Sequence, residues 1–465
     1  MAAAMLILFA STLYVYYHAA QTIPRNADNA SIALEGQDLL AGNWNLSGWS
    51  LPPDTFWLTD IPFYALGARL FGLGPFLMDA VPAFIHGLAV ACTVWLALRP
   101  YRGWAAIVAG ASSFALAGIP SAQTGTPLVL YVLMGPIHMG TILAALLALG
   151  LLESSLSRLL AKPRPSRPGT VLMIGLGVLL MAMSVAGDPF AVWVFLLPMA
   201  VGGVILLLRD EDWRRGVLTL GLVAVSFAVA QCALYAVATS GGFYANKVDA
   251  VFVPFATLTQ NLKVAVQGLL CIFGADFFGQ RFTKLETLLL LGHAALLCFV
   301  LFAVWRALGG RSTDGKTHDW LATVLAVAFV VDFAAYALST NASSLGMNRY
   351  LLPLPFVGAV LGGRMLAAWF QSSNRDRYKA SILVGLAVAL VCTSLSFRPI
   401  LERNVASLPE RDLGNWLAAQ GLYHGFGPFW DASIVTVASK GTVAVRPLIA
   451  DDNYLAPFRW HSTQA

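Results

Sequence analysis

Runs of apolar residues long enough to cross a bilayer recur along this chain, near 2 to 18, 78 to 98, 103 to 119, 128 to 151, 169 to 186, 189 to 208, 216 to 238, 285 to 305, 320 to 338, 351 to 370 and 380 to 397. About 20 such residues in a helix cover the hydrocarbon of a membrane. In hydrocarbon, a spanning segment must satisfy its own backbone N–H and C=O groups, which leaves helices or closed barrels. Runs of this length predict helices, so the expected fold is an all-α polytopic membrane bundle of about eleven spans. Composition agrees, because 58% of the residues are hydrophobic, 11% are charged and the mean hydropathy is +0.71, against about 25% charged in a soluble domain. A length of 465 residues then describes one bundle over 1–397 and a separate tail over 398–465.

The net charge of +5 sits mainly in loops. Lys and Arg accumulate on the cytoplasmic side of membrane proteins, so the excess calls for no nucleic-acid partner. The stretch FWLTDIPFYALGARLFGLGPF (56 to 76) is apolar but interrupted by Asp60, Pro62 and several glycines. If it lies on the membrane surface, five alternate loops carrying fifteen Lys and Arg all face the cytoplasm, and the opposing short loops hold only Arg349. Counting it as a span inverts that bias. The expected orientation therefore has the N-terminus inside and the C-terminus outside, in a bacterial inner membrane. The first run lacks a basic leader and a small-residue cleavage site, which predicts a retained span rather than a signal peptide. The five cysteines lie in apolar segments without CxxC spacing and read as packing residues.

The long outside pieces are then 19–77, 239–284 and the tail. Residues 252 to 280 place Gln260, Lys263 and Gln267 at helical spacing beside Leu262, Val266, Leu269 and Leu270, the pattern of a helix resting on the membrane surface. In the tail, ERDLGNWLAAQG (410 to 421) predicts a short helix, and DASIVTVASKGTVAVRPLI (431 to 449) alternates like two strands about Ser439-Lys440-Gly441. A small α+β appendage is expected.

A chain so poor in charge nonetheless places three acids just after its first span, in PRNADNASIALEGQDLLAGNW (24 to 44). On a helix over 28 to 40, Asp28, Ser31, Glu35 and Asp38 share one stripe, with Ile32, Gly36, Leu39 and Leu40 on a neighbouring apolar one. Such a helix can lie on the bilayer with its acids toward a cavity, or simply present a solvated face. Asp60, before Pro62, is a second acid or an N-cap. Asp188, in AGDPF between two spans, can enter a cavity or cap the next helix. Arg349 and Tyr350, in NRYLLPLPF, stand at the outer end of a late span. There a guanidinium can grip a lipid phosphate with two hydrogen bonds or serve as an interfacial anchor. His138 and His293 read as helix histidines bonded to neighbouring helices.

Taken in order, Asp28 after the first span, Ala41-Gly42-Asn43-Trp44 closing the amphipathic segment, a Pro-containing aromatic stretch ending in Leu70-Phe71-Gly72, and Arg349-Tyr350-Leu351-Leu352-Pro353 before a late span resemble the GT-C superfamily of integral-membrane glycosyltransferases. The likeness is to the bacterial lipid A aminoarabinose transferase and protein O-mannosyltransferase type. It spans roughly residues 1 to 400 and rests on the arrangement of short motifs. The sequence departs from that pattern in Asn29 after Asp28, in Thr59-Asp60-Ile61-Pro62 where many members carry Lys, and in an acid-free SAQTGTP loop at 121 to 127.

The resemblance implies an inverting hexosyl or pentosyl transfer from a polyprenyl-phosphate-linked sugar to a hydroxyl acceptor (lipid, glycan or protein) on the outer face. Asp28 and Asp60 are then the candidate catalytic acids, with Glu35, Asp38, Arg349, Tyr350, Lys263 and Asp188 as substrate-binding candidates. No metal-ligand motif is present and no cofactor is indicated, although two acids could hold a divalent cation. The rival reading is a transporter or lipid flippase. It predicts repeated halves and charges near mid-membrane, and the sequence has neither.

Overall fold

In a computed structural model the described residues are 2–118, 135, 137–160, 167–208, 213–248, 251–309, 319–373, 375–451 and 454–463. Fourteen helices build the membrane part: α1 Ala2–Gln21, α2 Ala27–Leu40, α3 Ile61–Phe71, α4 Pro75–Leu98, α5 Gly103–Ala117, α6 Met139–Leu160, α7 Arg167–Gly187, α8 Leu197–Leu208 after one π turn at Val192–Leu196, α9 Trp213–Thr239, α10 Leu258–Ile272, α11 Leu285–Leu308, α12 Trp320–Leu338, α13 Pro353–Ser372 and α14 Asp376–Leu401. The protein is a polytopic membrane bundle. Among the described residues eight helices are long and apolar enough to cross a membrane, namely α4, α6, α7, α9 and α11 to α14.

The sequence predicts eleven spans, and eight of the eleven runs coincide with these helices. The other three runs are helical too, but α5 has 15 residues, Val192–Leu208 is also short, and α1 stands outside the eight. The first part of the run predicted at 128 to 151 lies mostly outside the described residues, and within the rest α6 starts at Met139 and continues to Leu160. This leaves His138 at the mouth of the helix rather than inside it. The interrupted stretch at 56 to 76 contains α3, whose 11 residues are too few to span, and the expected surface helix at 252 to 280 contains α10.

Local chemistry sets the helix ends. Asn26 caps α2 by accepting from the Asn29 N–H at 2.9 Å, Asp319 caps α12 by accepting from Ala322, and prolines occupy the first turn of α3, α4 and α13, where a missing N–H costs nothing. At one end of the bundle Arg364, 4% exposed, pairs with Asp319 at 2.8 Å and Glu153 at 2.9 Å, and Arg99 joins Glu153. This network ties α4, α6, α12 and α13 together. The opposite end carries the loops that bring together the acidic cluster described below.

The tail begins beside the first loop, where Ala406 N donates to Gln21 O at 2.8 Å. It contains α15 Pro409–Ala419, β3 His424–Pro428, α16 Phe429–Ala438, β4 Ala444–Asp451, β5 Tyr454–Pro457 and β6 Ser462–Thr463. β3 and β4 pair in parallel, with α16 as the crossover, and β5 pairs antiparallel to β4. The sequence predicts a strand where α16 lies. The reason for the difference is burial, because Phe429 and every residue from Ala432 to Ala438 are buried between α2 and β4, leaving no polar face to display a helical period. β6 returns to pair with β1 Trp49–Leu51, whose other edge holds β2 Tyr244–Ala245. The tail and two distant loops thus share one sheet.

The shelf formed by α2 rests on α3 at Gly36, where an added Cβ would stand 2.8 Å from the Ala65 backbone nitrogen. Gly36→Val is expected to destabilise the protein by about 1–3 kcal/mol through overpacking against backbone that has no room to yield. The expected readout is a lower thermal unfolding midpoint in detergent; an unchanged midpoint would contradict the close approach of these helices.

Candidate active site

Asp28 sits in the first turn of α2, partly buried. Its neighbour Asn29 fixes that turn by donating to Met78 O at 2.6 Å and accepting from the Tyr64 hydroxyl at 2.7 Å. Just before the helix, Arg25 pairs with Asp79 of α4 at 2.6 Å, both nearly enclosed. Further along α2, Ser31 donates to Ser433 of α16 at 2.9 Å, and buried Glu35 meets buried His461 at 2.6 Å between Oε1 and Nδ1. Burial raises the Glu35 carboxyl while His461 opposes that rise; burial lowers the His461 imidazolium, and Glu35 more than restores it. Asp38 accepts from Asn43 at 2.7 Å and from the Trp49 indole at 2.8 Å, both on Oδ2, closing the Ala41-Gly42-Asn43-Trp44 turn.

A second group of acids lies where three helix ends converge. Asp188 follows α7, His138 precedes α6, and Asp54 comes from the loop before α3. One potential ligand atom of each lies within 4.8 Å of the others. His138 Nδ1 is 2.7 Å from Asp188 Oδ2, and Asp188 Oδ1 accepts from the Phe190 N–H at 3.0 Å, so this acid caps the following turn as well as holding the imidazole. The Asp54 loop is pinned by Phe56 N to Gly187 O at 2.6 Å and by Thr55 Oγ1 to the same carbonyl at 3.2 Å. His138 adopts a φ of 58°, an uncommon value for a residue with a side chain, held by its ring contacts with Phe190 and Tyr350 at 4.5 and 5.5 Å.

Asp60 is 1% exposed. It occupies the N-cap position of α3 without making a side-chain cap bond, and its Oδ1 instead accepts from Gly140 N at 3.2 Å. Glycine is required at 140, because a Cβ would fall 2.5 Å from Asp60 Oδ2. That second oxygen has no hydrogen-bond partner.

Electrostatics follow from this crowding. Burial, reinforced by Asp188, pushes the Asp54 carboxyl up to about 6 against the pull of His138 and Arg349. Burial pushes Asp60 up to about 7, with bonds from Thr59 and Gly140 working the other way. Burial disfavours the His138 imidazolium, but Asp188 and Asp54 together raise it above its usual value. Arg349 lies with its guanidinium carbon 5.4 Å from the centre of the Tyr350 ring. Asp28 and Asp54 both bias His461, so the α2 acids and the helix-end acids belong to one field.

Asp54, His138 and Asp188 form a two-carboxylate, one-imidazole donor set of the kind that binds Zn²⁺ or Mn²⁺. An ion held there would replace the hydrogen bond between His138 and Asp188 and would supply positive charge beside Arg349.

Comparison with solved structures now carries the fold. The chain is similar to ArnT from Cupriavidus metallidurans bound to undecaprenyl phosphate, with a TM-score of 0.59 and 14% identity over 96% of this chain and 86% of that one. The apo form of the same protein gives 0.58. This chain shares the fold of ArnT. The archaeal oligosaccharyltransferase AglB from Archaeoglobus fulgidus, in complex with an inhibitory peptide and a dolichol-phosphate, aligns at a TM-score of 0.49 with 12% identity over 95% of this chain and 64% of that one. No protein-family model matches the chain, and no curated protein does.

On this frame the candidates from sequence separate into groups. Asp188 and Tyr350 meet at His138, Arg349 flanks them, and Asp60 lies beneath on the Gly140 backbone. Asp28 stands on the neighbouring shelf. Glu35 and Asp38 are engaged with His461 and with the turn at 43 to 49, and Lys263 is exposed on α10. The 121 to 127 loop lies outside the described residues. Asp54 is the member that sequence reasoning passes over, and His138 is the one it reads only as a packing histidine. The available signal for Asp54 was an acid in a Pro-bounded loop, LPPDTFW, ahead of Asp60. His138 was hidden by the apolar run that seemed to enclose it.

Asp60 permits a test with a worked sign. Its folded value lies near 7 and its ordinary value is 3.8, so the folded state binds the proton more tightly. Stability relative to a neutral side chain therefore falls as pH rises from 3.8 to about 7 and is level above. Asp60→Asn keeps the acceptor for Gly140 and is expected to melt higher than wild type, by a margin that widens over this window. Thermal unfolding at pH 4, 5.5 and 8 measures it, and a margin that narrows toward pH 8 would be inconsistent with a buried, proton-holding Asp60.

Proposed function

We propose that this chain is a membrane glycosyltransferase that moves a sugar from a polyprenyl-phosphate donor to a hydroxyl acceptor at the outer face of a bacterial cytoplasmic membrane. The observation that carries the reading is the convergence of Asp54, His138 and Asp188 beside Arg349 and Tyr350, next to the Asp28 shelf, at one end of a bundle sharing its fold with a protein that binds undecaprenyl phosphate. The excess of Lys and Arg in the loops at the other end supports an outward-facing cluster.

In this reading Asp28 is the base. As the acceptor oxygen bonds to the anomeric carbon, its proton passes to the Asp28 carboxylate, and the bond from that carbon to the phosphate oxygen breaks with its electron pair leaving on the polyprenyl phosphate. A single displacement inverts the anomeric centre. Arg349 is the group for the departing phosphate, since a guanidinium offers two parallel donors to such an anion. The His138 imidazolium, sustained by Asp188, adds positive charge in the same corner. Asp60 holds the start of α6, and with it His138, through Gly140.

The test is transfer by purified protein in liposomes supplied with radiolabelled polyprenyl-phosphate sugars. Wild type is expected to label a hydroxyl acceptor, and Asp28→Asn to lose about 10²- to 10⁴-fold in rate, the range of a missing general base. Undiminished transfer by Asp28→Asn would reject the assigned base. Solute flux without any transfer would reject the enzyme in favour of a transporter.

A further inference from the structure

The end of the bundle far from the acidic cluster contains a groove of about 590 Å³ between α5, α11, α13 and α14. It is separate from that cluster, because α13 begins four residues after Arg349 and ends at Ser372, a rise of about 30 Å. Its deep walls are apolar, with Leu116, Phe299, Trp369 and Leu386 among them. Two hydrogen bonds close its inner end, from Thr393 to the Ala115 carbonyl at 3.1 Å and between Ser396 and His293 at 3.3 Å. Elsewhere α14 stands off from the bundle, and its buried residues are Leu386, Thr393, Ser396 and Ile400.

The mouth differs in chemistry. Ser372, Ser373, Tyr378 and Ser381 line it, and the same turn carries Arg375, Arg377 and Lys379 against the single acid Asp376. Arg375 lies over the Tyr378 ring at 5.8 Å and Lys379 over Phe370 at 5.7 Å, which keeps both cations at the rim. The serine hydroxyls at 372 and 381 donate to backbone carbonyls, so an anion at the mouth would be met mainly by the cations and the exposed Tyr378.

Dimensions select the occupant. The groove-lining residues of α14 run from Tyr378 to Ala389, about 16 Å of helix, or half of a ~30 Å hydrocarbon layer. That is the reach of an acyl chain from one leaflet. The cations at the mouth of the groove complement a phosphate headgroup, which an apolar transmembrane helix seated there would leave unmatched. An empty apolar groove would forfeit dispersion contacts along its walls, and in a bilayer the material at hand is lipid. We infer that this groove binds an anionic phospholipid, with one acyl chain between α13 and α14 and its phosphate at Arg375, Arg377 and Lys379.

Native mass spectrometry of the full-length protein, delipidated and then titrated with phosphatidylglycerol or phosphatidylcholine, tests this. Wild type is expected to retain phosphatidylglycerol preferentially. Each of Arg375→Gln, Arg377→Gln and Lys379→Gln is expected to lower that preference about fivefold, the equivalent of the ~1 kcal/mol that a basic residue contributes near an anionic surface. Gly385→Leu, at a groove-lining position where an added Cβ meets nothing within 4 Å, is expected to abolish retention of both lipids without altering the unfolding midpoint. Equal retention of the two lipids by wild type, or full retention by Gly385→Leu, would overturn the proposal. So would displacement of the lipid by undecaprenyl phosphate at equal concentration, which would assign the groove to an isoprenoid chain.

Discussion

Hydrocarbon offers no water to a backbone or side-chain polar group, and that constraint organises this protein. Charge is pushed to where helices end. His138 precedes α6, Asp188 follows α7, Asp54 and Asp60 precede α3, and Arg349 and Tyr350 precede α13. Because these helix ends meet at one end of the bundle, residues separated by nearly 300 positions share one corner. The opposite end obeys the same rule with a different outcome, since Arg99, Glu153, Asp319 and Arg364 neutralise one another in a paired network. There the charges satisfy each other structurally. In the acidic cluster, three carboxylates crowd around one imidazole, and burial makes two of them hold their protons up to about 6 and 7.

The α2 helix joins the membrane bundle to the tail at the shelf that bears Asp28. One side of it rests on α3 and α4 through Gly36 and Asn29, and another receives α16 and His461 from the tail. The C-terminal segment is consequently part of the architecture around Asp28. Its last strand pairs with β1, and His461 seals Glu35 in a buried pair seven residues along the helix from Asp28. A buried carboxylate beside a buried imidazole stays ionised only when its partner is present, so the pair couples the seating of the tail to the shelf that bears the proposed base.

Much of the frame was legible without coordinates. The apolar runs gave the helices, the amphipathic segment at 28 to 40 appeared as α2, and the interrupted stretch at 56 to 76 proved too short to span. Two errors share a physical cause. The alternating pattern at 431 to 438 belonged to a helix buried on all sides, and the run at 128 to 151 hid the helix start at Met139, because uniform apolarity carries no period from which to read a boundary. The acids at 28, 60 and 188 and the Arg349–Tyr350 pair were visible as charged residues beside spans. Asp54 was not singled out and His138 was read as a helix histidine, since neither has a partner within the local sequence.

The sequence by itself determined that this chain lives in a membrane, where its helices lie along the chain, and which few residues can carry charge at their ends, because solvation free energy acts on each segment locally. Tertiary structure alone decided which of those charges meet. Pairing His138 with Asp188, Glu35 with His461 and Arg364 with Asp319 requires helices distant in sequence to pack side by side, and that proximity, together with the burial that shifts Asp54 and Asp60, exists only in the assembled bundle.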